Sequence, residues 1–139
     1  MKSKKVSFTN SLSNLEFVRT EIISFLKESC SDKILNRIVL SIDEAISNCI
    51  EHGFIEGEIS EINLEMILEE KIAKFVLVDS GIEFDPTKKE SLDIDTHLEK
   101  GEDGGVGIHI FQKIMKVKYQ RQENKNILTL SKNLGEENE

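Results

Sequence analysis

Three short stretches of the chain hold residues whose types and spacing suit chemistry. The first is Glu44, Asn48 and His52, spaced at i, i+4 and i+8. On a helix each step of four drifts only about 40°, so all three share one side. A carboxylate there can activate a nucleophile or water, and a carboxamide oxygen can serve a hard cation such as Mg²⁺. A plain wet helix face has the same look. The second is Val76-Leu77-Val78-Asp79-Ser80-Gly81, an apolar run ending in Asp and then Gly. A carboxylate at a strand end can accept from an amino group such as that of adenine, and Gly81 lets a ring approach the backbone. The same residues also begin ordinary turns. The third is Gly101-Glu102-Asp103-Gly104-Gly105-Val106-Gly107, opening into a helical pattern. Backbone N–H groups at such a helix start suit phosphate, with a plain hinge as the alternative. It is neither a dinucleotide fingerprint nor a Walker loop, because no strand leads into it and no Lys-Ser/Thr pair follows.

The elements that must position these stretches follow from hydrophobic period. Residues 5–9 alternate around Val6 and Phe8 and predict a short strand. Ser11 or Ser13 can cap a helix with Leu12, Leu15, Val18, Ile22, Phe25 and Leu26 on one face. Ser31 caps a second helix through about residue 52, ended by Gly53, with Cys49 on its apolar stripe. Ile62 to Leu68 predicts a strand, Glu69-Glu70-Lys71 a turn, and Ile72 to Val78 a more central strand. Residues 79–104 lose all period, as functional loops do, and residues 85–103 suit a lid. Helical period returns from Val106 to Met115, and 117–119 with 127–130 predicts a closing hairpin around Glu123-Asn124-Lys125. Strands joined by tight turns imply a mixed, largely antiparallel sheet covered on one face by helices, a two-layer α/β sandwich.

Composition narrows the class further. The chain has 139 residues, 38% of them hydrophobic, enough for one domain with one core. Residues 1–4 and 134–139 read as flexible tails. The net charge of −8 argues against a general nucleic-acid or anionic-membrane binder, both of which reward a basic face. No apolar run reaches the ~18 residues of a membrane span. Cys30 and Cys49 lack metal-ligand spacing and suit reduced thiols in a cytoplasmic protein. His52 reads as a helix-end residue, His97 and His109 as surface residues, and Phe84 and Phe111 as packing residues.

In this order and at this length the three stretches resemble the GHKL ATPases, above all anti-sigma factor serine/threonine kinases of the RsbW type. The first box is similar to Glu44-Ala45-Ile46-Ser47-Asn48 with His52-Gly53. The second is similar to Asp79-Ser80-Gly81 with Phe84-Asp85-Pro86, and the third to Gly104-Gly105-Val106-Gly107-Ile108. The similarity spans roughly residues 5–132. It implies a Bergerat-type fold, with an ATP site between helices and a lid. In that resemblance Glu44 is the general base and Asn48 holds Mg²⁺. Asp79 takes the adenine amino group with Gly81 at the ring. Gly104, Gly105, Val106 and Gly107 close over the phosphates, and Thr129 reaches the adenine through water. It also implies a STAS-domain anti-anti-sigma protein as substrate, a sigma factor or similar regulator as partner, and a homodimer. Glu83 stands where the family's second box carries another glycine, and residues 124–129 lack the glycine usual in the last hairpin. The retained Glu44 favours the kinase, whereas the missing hairpin glycine and Glu102 and Asp103 beside the glycines favour the alternative of a nucleotide-binding module that regulates partners by binding alone. A nucleotide-free interaction domain is a third reading.

Overall fold

The computed structural model describes residues 1–88 and 111–135. The chain opens with strand β1 (Lys2–Thr9), a 3-10 turn (Leu12–Asn14) and helices α1 (Leu15–Leu26) and α2 (Asp32–Gly53). Strands β2 (Glu61–Glu69) and β3 (Ile72–Asp79) follow, then a 3-10 turn (Pro86–Lys88), β4 (Lys116–Gln122) and β5 (Lys125–Asn133). The strands form one five-stranded sheet in the order β1-β2-β3-β5-β4. Every pairing in it is antiparallel, so the expected sheet carries no parallel pair.

Local chemistry explains the boundaries. Ser31 Oγ accepts from Ile34 N–H at 3.2 Å, a true N-cap for α2. Ser11 caps the 3-10 turn instead of α1, accepting from Ser13 N–H at 3.3 Å. Helix α1 therefore starts at Leu15, later than the spacing predicts. Glu123 and Asn124 both have positive φ, 53° and 64°, as a two-residue type I′ hairpin turn requires. Lys125, expected in that turn, is the first residue of β5.

Strand alternation then builds the core. Val6, Phe8, Ile62, Leu64, Met66, Phe75, Leu77, Leu128 and Leu130 are buried together with Ile22 of α1 and Ile38, Ile42 and Ile46 of α2. Both helices thus cover one face of the sheet, and burial of this stripe is the main driving force for the domain. Lys74, Lys116, Lys118, Thr129 and Ser131 stand on the other face. Phe111 is fully buried at the start of the helical turn 111–114, and its carbonyl accepts from Met115 N–H at 2.9 Å. The rest of the expected helix, 106–110, lies outside the described residues.

The chain ends differ from the expected tails. Lys2 already pairs with Leu68, and Lys2 Nζ donates to Phe25 O at 2.6 Å. Lys4 forms an ion pair with Glu21 at 2.6 Å. Strand pairing, rather than fraying, thus orders residues 2–4. Leu134 is buried and its N–H donates to Lys71 O at 2.7 Å, so the ordered chain runs at least that far. Residues 136–139 lie outside the described residues.

Candidate functional site

A small cavity of about 20 Å³ lies between α2 and the ends of β3 and β5. Ala45, Asn48, Cys49 and Gly53 line it from α2, Leu77 and Asp79 from β3, and Asn126 and Leu128 from β5. Its wall is largely apolar with a few converging polar groups, the usual composition of a ligand pocket.

Asp79 closes the inner end. Its position at the last residue of β3, on the core-facing side, leaves it only 6% exposed. Its Oδ1 accepts from Gly81 N–H at 2.8 Å and from Asn126 Nδ2 at 3.0 Å, and its Oδ2 accepts from Cys49 Sγ at 3.1 Å. An ionised carboxylate offers about four acceptor positions. Among the described residues three are filled, which leaves one position on Oδ2. Burial, together with the neighbouring Asp79 charge, pushes the Cys49 thiol well above its ordinary value. The thiol therefore stays protonated and donates.

Asn48 lies on the same helical face, one turn before His52. It is 3% exposed, and its Nδ2 donates to Glu44 O at 2.9 Å. Its Oδ1 is buried with no hydrogen-bond partner among the described residues. Such an orphaned acceptor is rare and carries a desolvation cost. A divalent cation fits it. Mg²⁺ takes oxygen ligands and often only one or two from protein, with phosphates and waters completing its shell. Among the described residues no cluster of three His, Cys, Asp or Glu side chains could form a metal cage, so a cation at Asn48 would draw most of its ligands from phosphates and water.

Glu44 does not line the cavity itself. It sits one turn N-terminal to Asn48, half-buried. Burial raises its carboxyl above the ordinary value, and the charges of Asp43 and Glu51 add to the rise. A carboxylate shifted towards neutrality is a better proton acceptor. His52 stacks on Phe84 with centroids 5.4 Å apart, which pins the end of α2 to the segment after β3. His52 thus has the helix-end role expected of it.

Gly81 has a packing constraint that the sequence does not show, and Thr129 departs from its expected place. The backbone of α2 approaches Gly81 closely. A Cβ there would lie 2.2 Å from Gly53 O, and Ile82 N–H donates to that same oxygen at 2.8 Å. Thr129 belongs to the open face of the sheet beside Lys74 and Lys118, away from the cavity. Strand alternation is the reason: Asn126, Leu128 and Leu130 share the core-facing side, and Thr129 falls between them. Asn126, not singled out from the sequence, is the β5 residue that meets Asp79. Its signal was available, since Asn126 has the parity of Leu128 and Leu130. Gly104, Gly105, Val106 and Gly107 lie outside the described residues.

Comparison with known proteins bears on this arrangement. Residues 8–132 match the family described as the histidine kinase-like ATPase domain. The chain belongs to that family. Over 107 residues it is 28% identical to the serine/threonine-protein kinase BtrW of Bordetella bronchiseptica, spanning 76% of this chain and 75% of BtrW. Its fold is similar to that of the RsbU and RsbW domains of Rv1364c from Mycobacterium tuberculosis, with a TM-score of 0.67 at 15% identity. That match covers 96% of this chain and 33% of the other, so the chain spans about a third of that protein. The histidine kinase AdeS of Acinetobacter baumannii is similar at a TM-score of 0.50 and 13% identity, over 98% of this chain and 70% of AdeS. These matches agree with the GHKL, RsbW-type resemblance read from the three boxes. The ATPase family implies ATP binding, and no described helix is long and apolar enough to cross a membrane.

Proposed function

We propose that the protein is an ATP-dependent protein serine/threonine kinase of the anti-sigma type, active in the cytoplasm as a homodimer. Its substrate would be a Ser or Thr of a STAS-domain antagonist protein, and it would sequester a sigma factor or similar regulator. The observation that carries the reading is the pairing on α2 of the orphaned Asn48 Oδ1 with a Glu44 carboxyl raised towards neutrality, beside a pocket closed by Asp79.

In this reading the 6-amino group of adenine donates to the free acceptor position of Asp79 Oδ2. Asn48 Oδ1 would hold Mg²⁺, which would supply charge neutralisation at the phosphates. Gly104, Gly105, Val106 and Gly107 are assigned to the phosphates. Glu44 removes the proton from the substrate hydroxyl as its oxygen bonds to the γ-phosphorus. The bond from the γ-phosphorus to the bridging oxygen breaks, and ADP leaves with that electron pair. Catalysis is then mostly positioning and charge neutralisation.

Glu44→Gln tests the assignment. Phosphotransfer to a STAS-domain substrate should fall by about 10²–10⁴-fold, the usual worth of a general base, while ATP affinity is kept. Simultaneous loss of binding and transfer would count against Glu44 as the base. Full transfer by the variant would remove the role altogether.

A further inference from the structure

Asn126 is the most connected side chain at the cavity. It is 5% exposed. Its Nδ2 donates to Asp79 Oδ1 at 3.0 Å and to Ile82 O at 2.8 Å. Its Oδ1 accepts from Tyr119 Oη, from Arg121 Nη1 at 3.1 Å and from Phe84 N–H at 3.4 Å. The reversed amide would set its oxygen against the Asp79 carboxylate and the Ile82 carbonyl, both acceptors, so the network allows a single orientation. Arg121 Nη1 also donates to Gly81 O at 2.9 Å, which ties the segment after β3 to β4. An aspartate of the same shape could not replace this amide, because it would bring a second carboxyl against Asp79.

We propose that Asn126 is a positioning residue that holds Asp79 as a pure acceptor and thereby sets the preference of the pocket for adenine over guanine. This rests on the reading of the cavity as a nucleotide site. Two donors, Gly81 N–H and Asn126 Nδ2, fill Oδ1 and leave the free acceptor position on Oδ2. Adenine presents an amino donor at its 6-position, and guanine presents a carbonyl oxygen there. A carboxylate fixed as an acceptor pairs with the first and repels the second. The amide contributes by aiming Asp79 and by placing no second negative charge beside it. Asn126→Asp would put two carboxyl groups within hydrogen-bond reach of each other, and such a pair shares a proton. The pair then offers an O–H as well as an acceptor, and the discrimination is lost.

The test is the ratio of ATP to GTP affinity, measured by titration calorimetry with Mg²⁺ on wild type, Asn126→Asp, Asn126→Ser and Asn126→Ala. Thermal unfolding without nucleotide monitors the fold of each. The wild type should prefer ATP by at least about tenfold, the scale of one hydrogen bond to a charged group. Asn126→Asp should lose that preference through weaker ATP binding and stronger GTP binding. Asn126→Ser keeps a donor for Asp79 and should retain most of the ratio, whereas Asn126→Ala should lose it. If Asn126→Asp fails to fold, the Ser and Ala pair decides. A merely structural role would weaken both nucleotides together and leave the ratio intact. Wild type that prefers ATP, with the same ratio in every folded variant, overturns this proposal alone. Wild type that binds neither nucleotide overturns the reading of the pocket, and this proposal with it.

Discussion

At the inner end of the cavity three donors point at the Asp79 carboxylate, whereas on the α2 wall the buried Asn48 Oδ1 has no partner among the described residues. The two carry opposite energetics. Asp79 is held by bonds already made in the protein alone, so its direction is set before a ligand arrives. Asn48 carries a desolvation cost that only an added partner relieves. Under the proposed function, Asp79 serves recognition and Asn48 a ligand-dependent gain.

Replacing each residue by alanine breaks this comparison most directly. Asp79→Ala should abolish the MgATP-induced thermal shift, which at about 100 times Kd corresponds to about 2.7 kcal/mol. It should also destabilise the free protein by about 1–3 kcal/mol, because Gly81 N–H, Asn126 Nδ2 and the Cys49 thiol lose their acceptor. Asn48→Ala should remove only the Mg²⁺-dependent part of the shift and leave the free protein within about 1 kcal/mol of wild type. Thermal unfolding of both variants, with ATP alone and with ATP and Mg²⁺, reads all four quantities. Equal loss in the free proteins would erase the distinction.

The joint between α2 and β3 gives the next effect. Gly81→Ala places a Cβ 2.2 Å from Gly53 O, a backbone atom that must shift. A cost of about 1–3 kcal/mol is expected, the usual range for overpacking, measured by denaturant unfolding. Unchanged stability would show that the end of α2 yields freely.

The smallest effect on stability comes from Glu44. Its folded-state carboxyl is raised by burial and by the Asp43 and Glu51 charges, so across that window the folded chain holds more protons than the unfolded one. Stability then falls as pH rises from the ordinary carboxylate value through the raised one. Glu44→Gln lacks this loss, so its melting temperature should gain on that of wild type as pH climbs from about 4 to 7. A constant difference between the two proteins over that range would contradict the raised value.

Much of this was legible in the sequence because local rules govern it. The i, i+4 spacing placed Glu44 and Asn48 on one face of α2, and Ser31 and Gly53 marked its ends. The switch to alternating apolar residues after Gly57 marked β2, and the mostly apolar run from Ile72 to Val78 marked β3. The last strand was harder. Thr129 comes to the adenine only through the family resemblance, whereas the parity of Leu128 and Leu130 points inward at Asn126. The N-terminal lysines read as a tail because nothing local reveals pairing with residues more than sixty positions away.

By itself the sequence determined α2, β2, β3, the two-layer α/β class and the residue types at Glu44, Asn48 and Asp79, since period and capping act within a few residues. Only the tertiary structure decided which atoms meet. The approach of Gly53 to Gly81, the choice of Asn126 over Thr129, and the filled Asp79 beside the orphaned Asn48 Oδ1 all arise where distant segments pack. Register across β3 and β5, and the docking of α2 on that sheet, depend on long-range contacts for which one-dimensional spacing has no signal.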